Sequence, residues 1–152
     1  MTTPALFAFL HHVAAFTLVS AIGIELALFS ATPTLAQARK LRVIDAHYGL
    51  AAVAILIVGF ARVSHFEKGS DYYFSNGWFI TKLSLFVIVG LLSIYPTVVF
   101  ASWKGAIKRG EAPTVSAEAA KRIRLCLFLE LAGVAGILLA APLMARGVGS
   151  FG

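Results

Sequence analysis

The sequence predicts an all-α integral membrane protein, a four-helix bundle with antiparallel up-down connections. Apolar residues make up 59% of the 152-residue chain and charged residues only 13%, whereas an ordinary soluble domain is about a quarter charged. The apolar residues fall into four long blocks, and a membrane-spanning helix needs roughly 20 largely apolar residues. Because these blocks are continuous rather than alternating with polar residues, a membrane β-barrel is disfavoured.

The predicted spans cover about residues 5–29, 43–65, 78–102 and 120–145, within a single transmembrane domain over residues 1–152. The second helix is predicted to begin before its span, near Leu35, because Thr34-Leu-Ala-Gln37 has the spacing of a capping box. Residues 67–77 are rich in turn-forming residues and predict a loop. Near the end of this loop, Ser75 or Asn76 can cap the third helix. Ser116 is the predicted cap of the fourth helix, which is expected to end near Pro142.

The basic residues are distributed unequally between the two ends of the bundle. We define side A as the face that holds the N-terminus, residues 67–77 and the C-terminus, and side B as the opposite face. Side B has nine basic residues and side A has four: Arg39, Lys40, Arg42, Lys104, Lys108, Arg109, Lys121, Arg122 and Arg124 against Arg62, Lys68, Lys82 and Arg146. The positive-inside rule then predicts a multi-pass protein of the bacterial inner (cytoplasmic) membrane with side B in the cytoplasm and both termini in the periplasm. Since these residues flank spans instead of forming one exposed face, nucleic acid is not a predicted partner.

The polar residues at membrane depth near side A predict a cofactor site. Charged side chains there cost about 2.5–3.5 kcal/mol each at a helix centre, so they are candidates for function. His11, His12, Arg62, His65 and Lys82 come to this side when the spans are folded antiparallel. Histidines from two helices suit haem iron, so we predict His11 or His12 together with His65 as axial ligands, and Arg62 and Lys82 as partners of the haem propionates. A copper or zinc site, or histidines that only bind headgroups and neighbouring helices, are alternatives.

A second group of polar residues is predicted nearer side B. Glu25 follows His11 by 14 residues, so the two share a helix face about 20 Å apart. Glu25, His47 and Glu130, with Asp45 nearby, are reasonable ligands for a second metal ion such as iron, zinc or copper. They would equally serve as proton-relay groups. The alternative is that Asp45 and Glu130 pair with basic residues at the interface.

One motif carries a resemblance to a known family. The stretch GWFITKL, Gly77–Leu83, fits the pattern G-W-x-x-x-K-L and follows a histidine early in the first helix. It resembles the bacterial membrane protoporphyrinogen oxidases that bind haem b. The resemblance implies that His11 or His12 is a haem ligand and that Lys82 is a ligand or a partner of the propionates or substrate. Nearly the whole chain looks like an uncharacterised family of short bacterial four-span membrane proteins, more distantly similar to the copper-resistance D-type proteins.

Together these observations predict a b-type haem membrane protein that transfers electrons or changes the redox state of a small substrate. Quinone or a porphyrinogen-like molecule is the expected substrate, and the activity would be that of a haem-dependent membrane oxidoreductase. A copper or other metal-handling protein without haem is the first alternative, and a non-catalytic membrane interaction module is the second. Expected partners are the lipid bilayer and a quinone or redox protein. A close helix contact, within the chain or in a homodimer, is allowed by the small residues Ala132, Gly133, Gly136 and Ala140.

Overall fold

The computed structural model describes residues 2–66 and 70–149. Its helices, in chain order, are α1 (Thr3–Leu28), α2 (Leu35–Ala61), α3 (Ser70–Phe74), α4 (Gly77–Ser102), α5 (Lys104–Lys108) and α6 (Ala117–Ala145), and a π-helical turn over Arg62–Phe66 continues α2. Four of these, α1, α2, α4 and α6, are long and apolar enough to cross a membrane. The predicted all-α, four-helix membrane fold is therefore confirmed.

The helix starts follow the capping residues of the sequence. Thr34 and Gln37 form the predicted capping box at the start of α2, Asn76 accepts from two backbone N–H groups at the start of α4, and Ser116 caps α6. The end of α6 differs from the prediction: Pro142 lies inside the helix, which ends at Ala145. Part of the predicted 67–77 loop is the short helix α3, whereas residues 67–69 lie outside the described residues.

The bundle consists of two helical hairpins. Helix α1 packs along α2 and α4 packs along α6, while α1 meets α6 and α2 meets α4 over fewer residues. Glycines allow α6 to approach α4 closely. A Cβ atom added at Gly133 would lie 2.6 Å from Val89 Cγ2, and one at Gly136 would lie 3.0 Å from Leu85 Cδ1. Two of the small residues noted in the sequence therefore serve a contact within one chain.

Two layers of apolar side chains cross the bundle. The side-B apolar layer is formed by Phe29, Ala38, Leu41, Phe100, Trp103, Ala120, Ile123 and Leu127. The central apolar layer is formed by Leu18, Ala21, Ile22, Tyr48, Ala51, Val89 and Val134. Each layer takes residues from all four long helices or their ends, so the helices are in register. Consequently, polar residues located between or beyond these layers on different helices come to the same depth.

Candidate functional site

The first candidate site is an acid cluster, which we define as Glu25, Asp45, Tyr48 and Glu130. Its three carboxyl groups, one each from α1, α2 and α6, lie between the side-B apolar layer and the central apolar layer, to which Tyr48 belongs. Glu25 is 2% exposed and Glu130 is 1% exposed, and Tyr48 is also buried. Both glutamates thus lie inside the bundle, as their depth in the sequence predicts.

Hydrogen bonds tie this acid cluster to α4. The Tyr48 hydroxyl lies near the carboxyl group of Glu130 and the Ser93 hydroxyl. The Thr97 hydroxyl donates to Asp45 Oδ1 at 2.6 Å. These contacts bring side chains from α2, α4 and α6 into one polar network.

The acid cluster contains more carboxyl groups than the described cations near it can pair. Asp45 and Glu130 are both close enough to Glu25 to interact with it electrostatically, while Arg42 is the cation near Asp45. Among the atoms of the described residues, one buried oxygen of each glutamate, Oε1, has no hydrogen-bond partner. A buried carboxyl group is costly unless a proton, a cation or hydrogen bonds compensate its charge. The cluster therefore has the chemistry to hold a proton or to contact a polar ligand.

The structure does not bring His47 into this cluster. Its side chain is exposed on the outside of α2, and its Nδ1 atom lies 2.7 Å from the Val43 carbonyl oxygen. Glu25 and Glu130 come together, but the position expected for His47 is taken by its neighbour Tyr48. Within residues 2–66 and 70–149 no three His, Cys, Asp or Glu side chains form a group that could hold a metal ion.

The second candidate site is a basic cluster, which we define as His11, Arg62 and Lys82. It lies on the side-A side of the central apolar layer, and its members line a cavity of about 60 Å³ between α1, the end of α2 and α4. His11 and Lys82 also line an adjoining cavity of about 70 Å³. The imidazole faces Gly59, where an added Cβ atom would lie 3.4 Å from His11 Cε1. The structure therefore brings together three of the five residues predicted near side A.

The other two predicted histidines lie further out. His12 is exposed, and its ring makes an edge-on contact with the ring of His11 at 6.3 Å between centroids. His65 is exposed in the π-helical turn that also contains Arg62. Such π-helical turns are rare in proteins, but those that occur are often found at functional sites. Only His11 of the three turns its ring into the bundle.

A cleft between α2 and α4 connects the levels of the two clusters. It has a volume of about 380 Å³ and is lined on one level by Asp45, Tyr48, Ser93 and Thr97, and elsewhere by apolar side chains. At its other end it shares Leu56 and Phe86 with the cavity beside His11. The looser contact between α2 and α4 thus leaves a lateral opening from one cluster toward the other.

Sequence reasoning did not assign Tyr48, Ser93 or Thr97 to a site. A signal was available: Asp45 and Tyr48 are three residues apart on α2, and Ser93 and Thr97 are four apart on α4, which places each pair on one helix face. Hydroxyl side chains are common in apolar spans, where they often hydrogen-bond to the backbone of their own helix. The spacing of these pairs is therefore weak evidence for a site until the structure shows that the two helices face each other.

The comparisons with known proteins agree with the membrane fold. A family described as predicted membrane protein (DUF2214) matches residues 3–149 of the chain. The chain belongs to this family. No curated protein and no solved structure shows significant similarity to it. The prediction of an uncharacterised family of membrane proteins is confirmed, while the likenesses to protoporphyrinogen oxidases and copper-resistance proteins stay predictions.

Proposed function

We propose that the protein is a membrane redox protein that binds haem b at the basic cluster, with His11 as an axial ligand. One observation supports this proposal above the others. The Nδ1 atom of His11 is buried and has no hydrogen-bond partner among the described residues, and it lies beside two cationic side chains in one cavity. A buried imidazole in such a position is available to a ligand, and imidazole is a common ligand of haem iron.

Charge complementarity favours the same ligand. Arg62 and Lys82 line the cavity, and none of the described residues that line it is acidic. Two cationic side chains that line one cavity favour an anionic ligand there. The two propionates of haem b match two cations, while its iron matches the imidazole of His11. His65 is the candidate for the second axial position when Lys82 pairs with a propionate, and Lys82 is the alternative axial ligand when it does not.

The size of the cavities adds a requirement to the proposal. Volumes of about 60 and 70 Å³ admit only part of a macrocycle. The adjoining cleft, however, begins at Leu56 and Phe86, where α2 and α4 already stand apart. Haem binding at His11 therefore requires these two helices to separate further along that cleft. Bound haem would supply one-electron chemistry, either for electron transfer or for oxidation of a small quinone-like or porphyrinogen-like substrate.

An absorbance spectrum of the purified full chain tests the proposal, and adjacent histidines supply a matched control. Wild type and His12→Ala are expected to show a Soret band with reducible α and β bands, whereas His11→Ala is expected to lose them. Lys82→Met should lower haem retention more than Lys82→Arg, because arginine keeps the charge near the propionates. Equal spectra for the two histidine variants would refute the role of His11.

Metal analysis of the same preparations separates the alternatives. A colourless protein without iron would refute the haem proposal. Stoichiometric copper or zinc that is lost in His11→Ala would then support the metal-handling function, for which imidazole is also a suitable ligand. A protein without either metal would favour the membrane interaction module.

A further inference from the structure

The lateral cleft between α2 and α4 has the form of a site for a molecule that comes from the lipid phase. Its walls are largely apolar, and Leu18 of α1 lies at its floor. Gly49 and Gly90 line it from opposite helices, and a Cβ atom added at either glycine would meet nothing within 4 Å. The space beside both glycines is therefore open, and an apolar tail can lie there in contact with the bilayer.

One level of the cleft is polar. Asp45 and Thr97 form a hydrogen bond there, and Tyr48 and Ser93 lie on the same level. The Ser93 hydroxyl also donates to the Gly90 carbonyl oxygen at 2.8 Å. A ligand at this level meets hydroxyl and carboxyl groups on both helices, which suits a head group with oxygen atoms on more than one side.

The acid cluster lies directly behind this polar level. Tyr48 lines the cleft and lies close to Glu130, and Asp45 lines the cleft close to Glu25. Both glutamates are more than nine-tenths buried and have an unpartnered oxygen within the described part of the chain. The side-B and central apolar layers cover the cluster above and below. Tyr48 and Asp45 therefore give the buried glutamates a polar connection to the cleft.

We propose that this cleft binds the ring of a lipid-soluble quinone or quinol, with Tyr48, Ser93 and Asp45 at its oxygen atoms. A quinone has the required apolar tail and an uncharged head group with oxygens at opposite edges. Those oxygens gain protons when the ring is reduced, so neighbouring carboxyl groups suit it. A phospholipid head group is a poorer match, because its phosphate is charged and none of the described residues that line the cleft is a cation. Quinone binding at this site does not depend on haem at the basic cluster.

Cleft-filling variants test the site without disturbing the packing of the bundle. The probe is decylubiquinone, titrated against the full chain in lipid nanodiscs, with empty nanodiscs as the blank. Wild type should bind it saturably at one site per chain. Gly90→Leu should weaken binding by roughly tenfold or more, because its side chain occupies the cleft. Gly23→Leu is the matched control: an added Cβ there also meets nothing within 4 Å, but Gly23 lies outside the cleft. Equal binding by wild type and Gly90→Leu would overturn the proposal.

Two further measurements address the polar level. Tyr48→Phe keeps the ring in the central apolar layer and should weaken binding roughly five- to tenfold through one lost hydrogen bond. In protein labelled with ¹³C-glutamate, adding the quinone should change a carboxyl C=O infrared band that is missing in Glu130→Gln. If binding changes no glutamate band, the acid cluster is not its partner and that part of the proposal is wrong. Retained quinone binding in protein without a Soret band would refute only the haem proposal.

Discussion

Gly133→Ala is expected to destabilise the seam between α4 and α6. The substitution adds a methyl group whose carbon would lie 2.6 Å from Val89 Cγ2, closer than an ordinary carbon contact by about 0.9 Å or more. Val89 is 2% exposed within the central apolar layer, and a β-branched side chain has little rotamer freedom in a helix. To remove this close contact, α4 and α6 therefore have to move apart.

The magnitude follows from two opposing terms. Extra volume in a packed core costs about 1–3 kcal/mol. Alanine, however, favours a helix over glycine by about 1 kcal/mol. The net loss in free energy of unfolding for Gly133→Ala should then be about 0–2 kcal/mol. Gly136→Ala should lower the free energy of unfolding less than Gly133→Ala, because its Cβ would meet the flexible tip of Leu85 at 3.0 Å. Gly23→Ala has open space around the added Cβ, so its free energy of unfolding should rise by up to about 1 kcal/mol.

Equilibrium unfolding in mixed micelles with increasing SDS, followed by circular dichroism, measures this series. The expected order of stability is Gly23→Ala, then Gly136→Ala, then Gly133→Ala. Val89→Ala should remove the clash, so the double variant with Gly133→Ala should cost less than the sum of the two single variants. A Gly133→Ala protein as stable as Gly23→Ala would refute the close packing of α4 on α6.

Two further outcomes are expected. Asn76→Ala should lower the free energy of unfolding by about 2 kcal/mol, because Asn76 caps α4 and donates to the Val148 carbonyl oxygen at 3.2 Å. Asn76→Asp keeps the cap acceptor but loses the amide donor, so its stability should lie between those of wild type and Asn76→Ala. Unfolding in the same micelles measures both variants, and wild-type stability in both would contradict this expectation. A cysteine placed at Glu111, in the exposed connection on side B, should react with an impermeant maleimide only after the inner membrane is permeabilised. Labelling from the periplasm in intact cells would show that the predicted orientation is wrong.

The fold was largely predictable because length and apolar composition decide it. Backbone groups in a bilayer must be satisfied within the span, so four long apolar blocks leave little choice but four helices. Capping chemistry is local as well, and for this reason Thr34 and Ser116 identify their helix starts. The end of α6 was less predictable. Proline is expected to stop a helix, yet Pro142 stands inside the last turns of α6, where the chain continues as helix to Ala145.

The inward faces of the helices were harder to predict, and His47 illustrates the reason. In a soluble protein the apolar stripe marks the core, but a span is apolar on all sides because lipid surrounds it. Residue type therefore favoured His47, whereas packing turned the adjacent Tyr48 inward, about 100° around the helix. The same ambiguity applied to His11 and His12. In the structure, the His11 ring packs against Gly59 of α2, whereas His12 is exposed.

The distance between the two clusters is itself an argument for ligands. The basic cluster lies at the level of His11 and the acid cluster at the level of Glu25, roughly 21 Å apart along α1. Opposite unit charges at that separation attract by less than about 1 kcal/mol at an effective dielectric constant of 20, against about 4 kcal/mol in contact. A chain that needed Lys82 only for stability would gain more by pairing it with Glu25 or Glu130, or by an apolar replacement. Instead the central apolar layer keeps the clusters apart. We therefore expect an anionic ligand to compensate Lys82 near side A, and protons or a protonatable ligand to compensate Glu25 and Glu130 near side B.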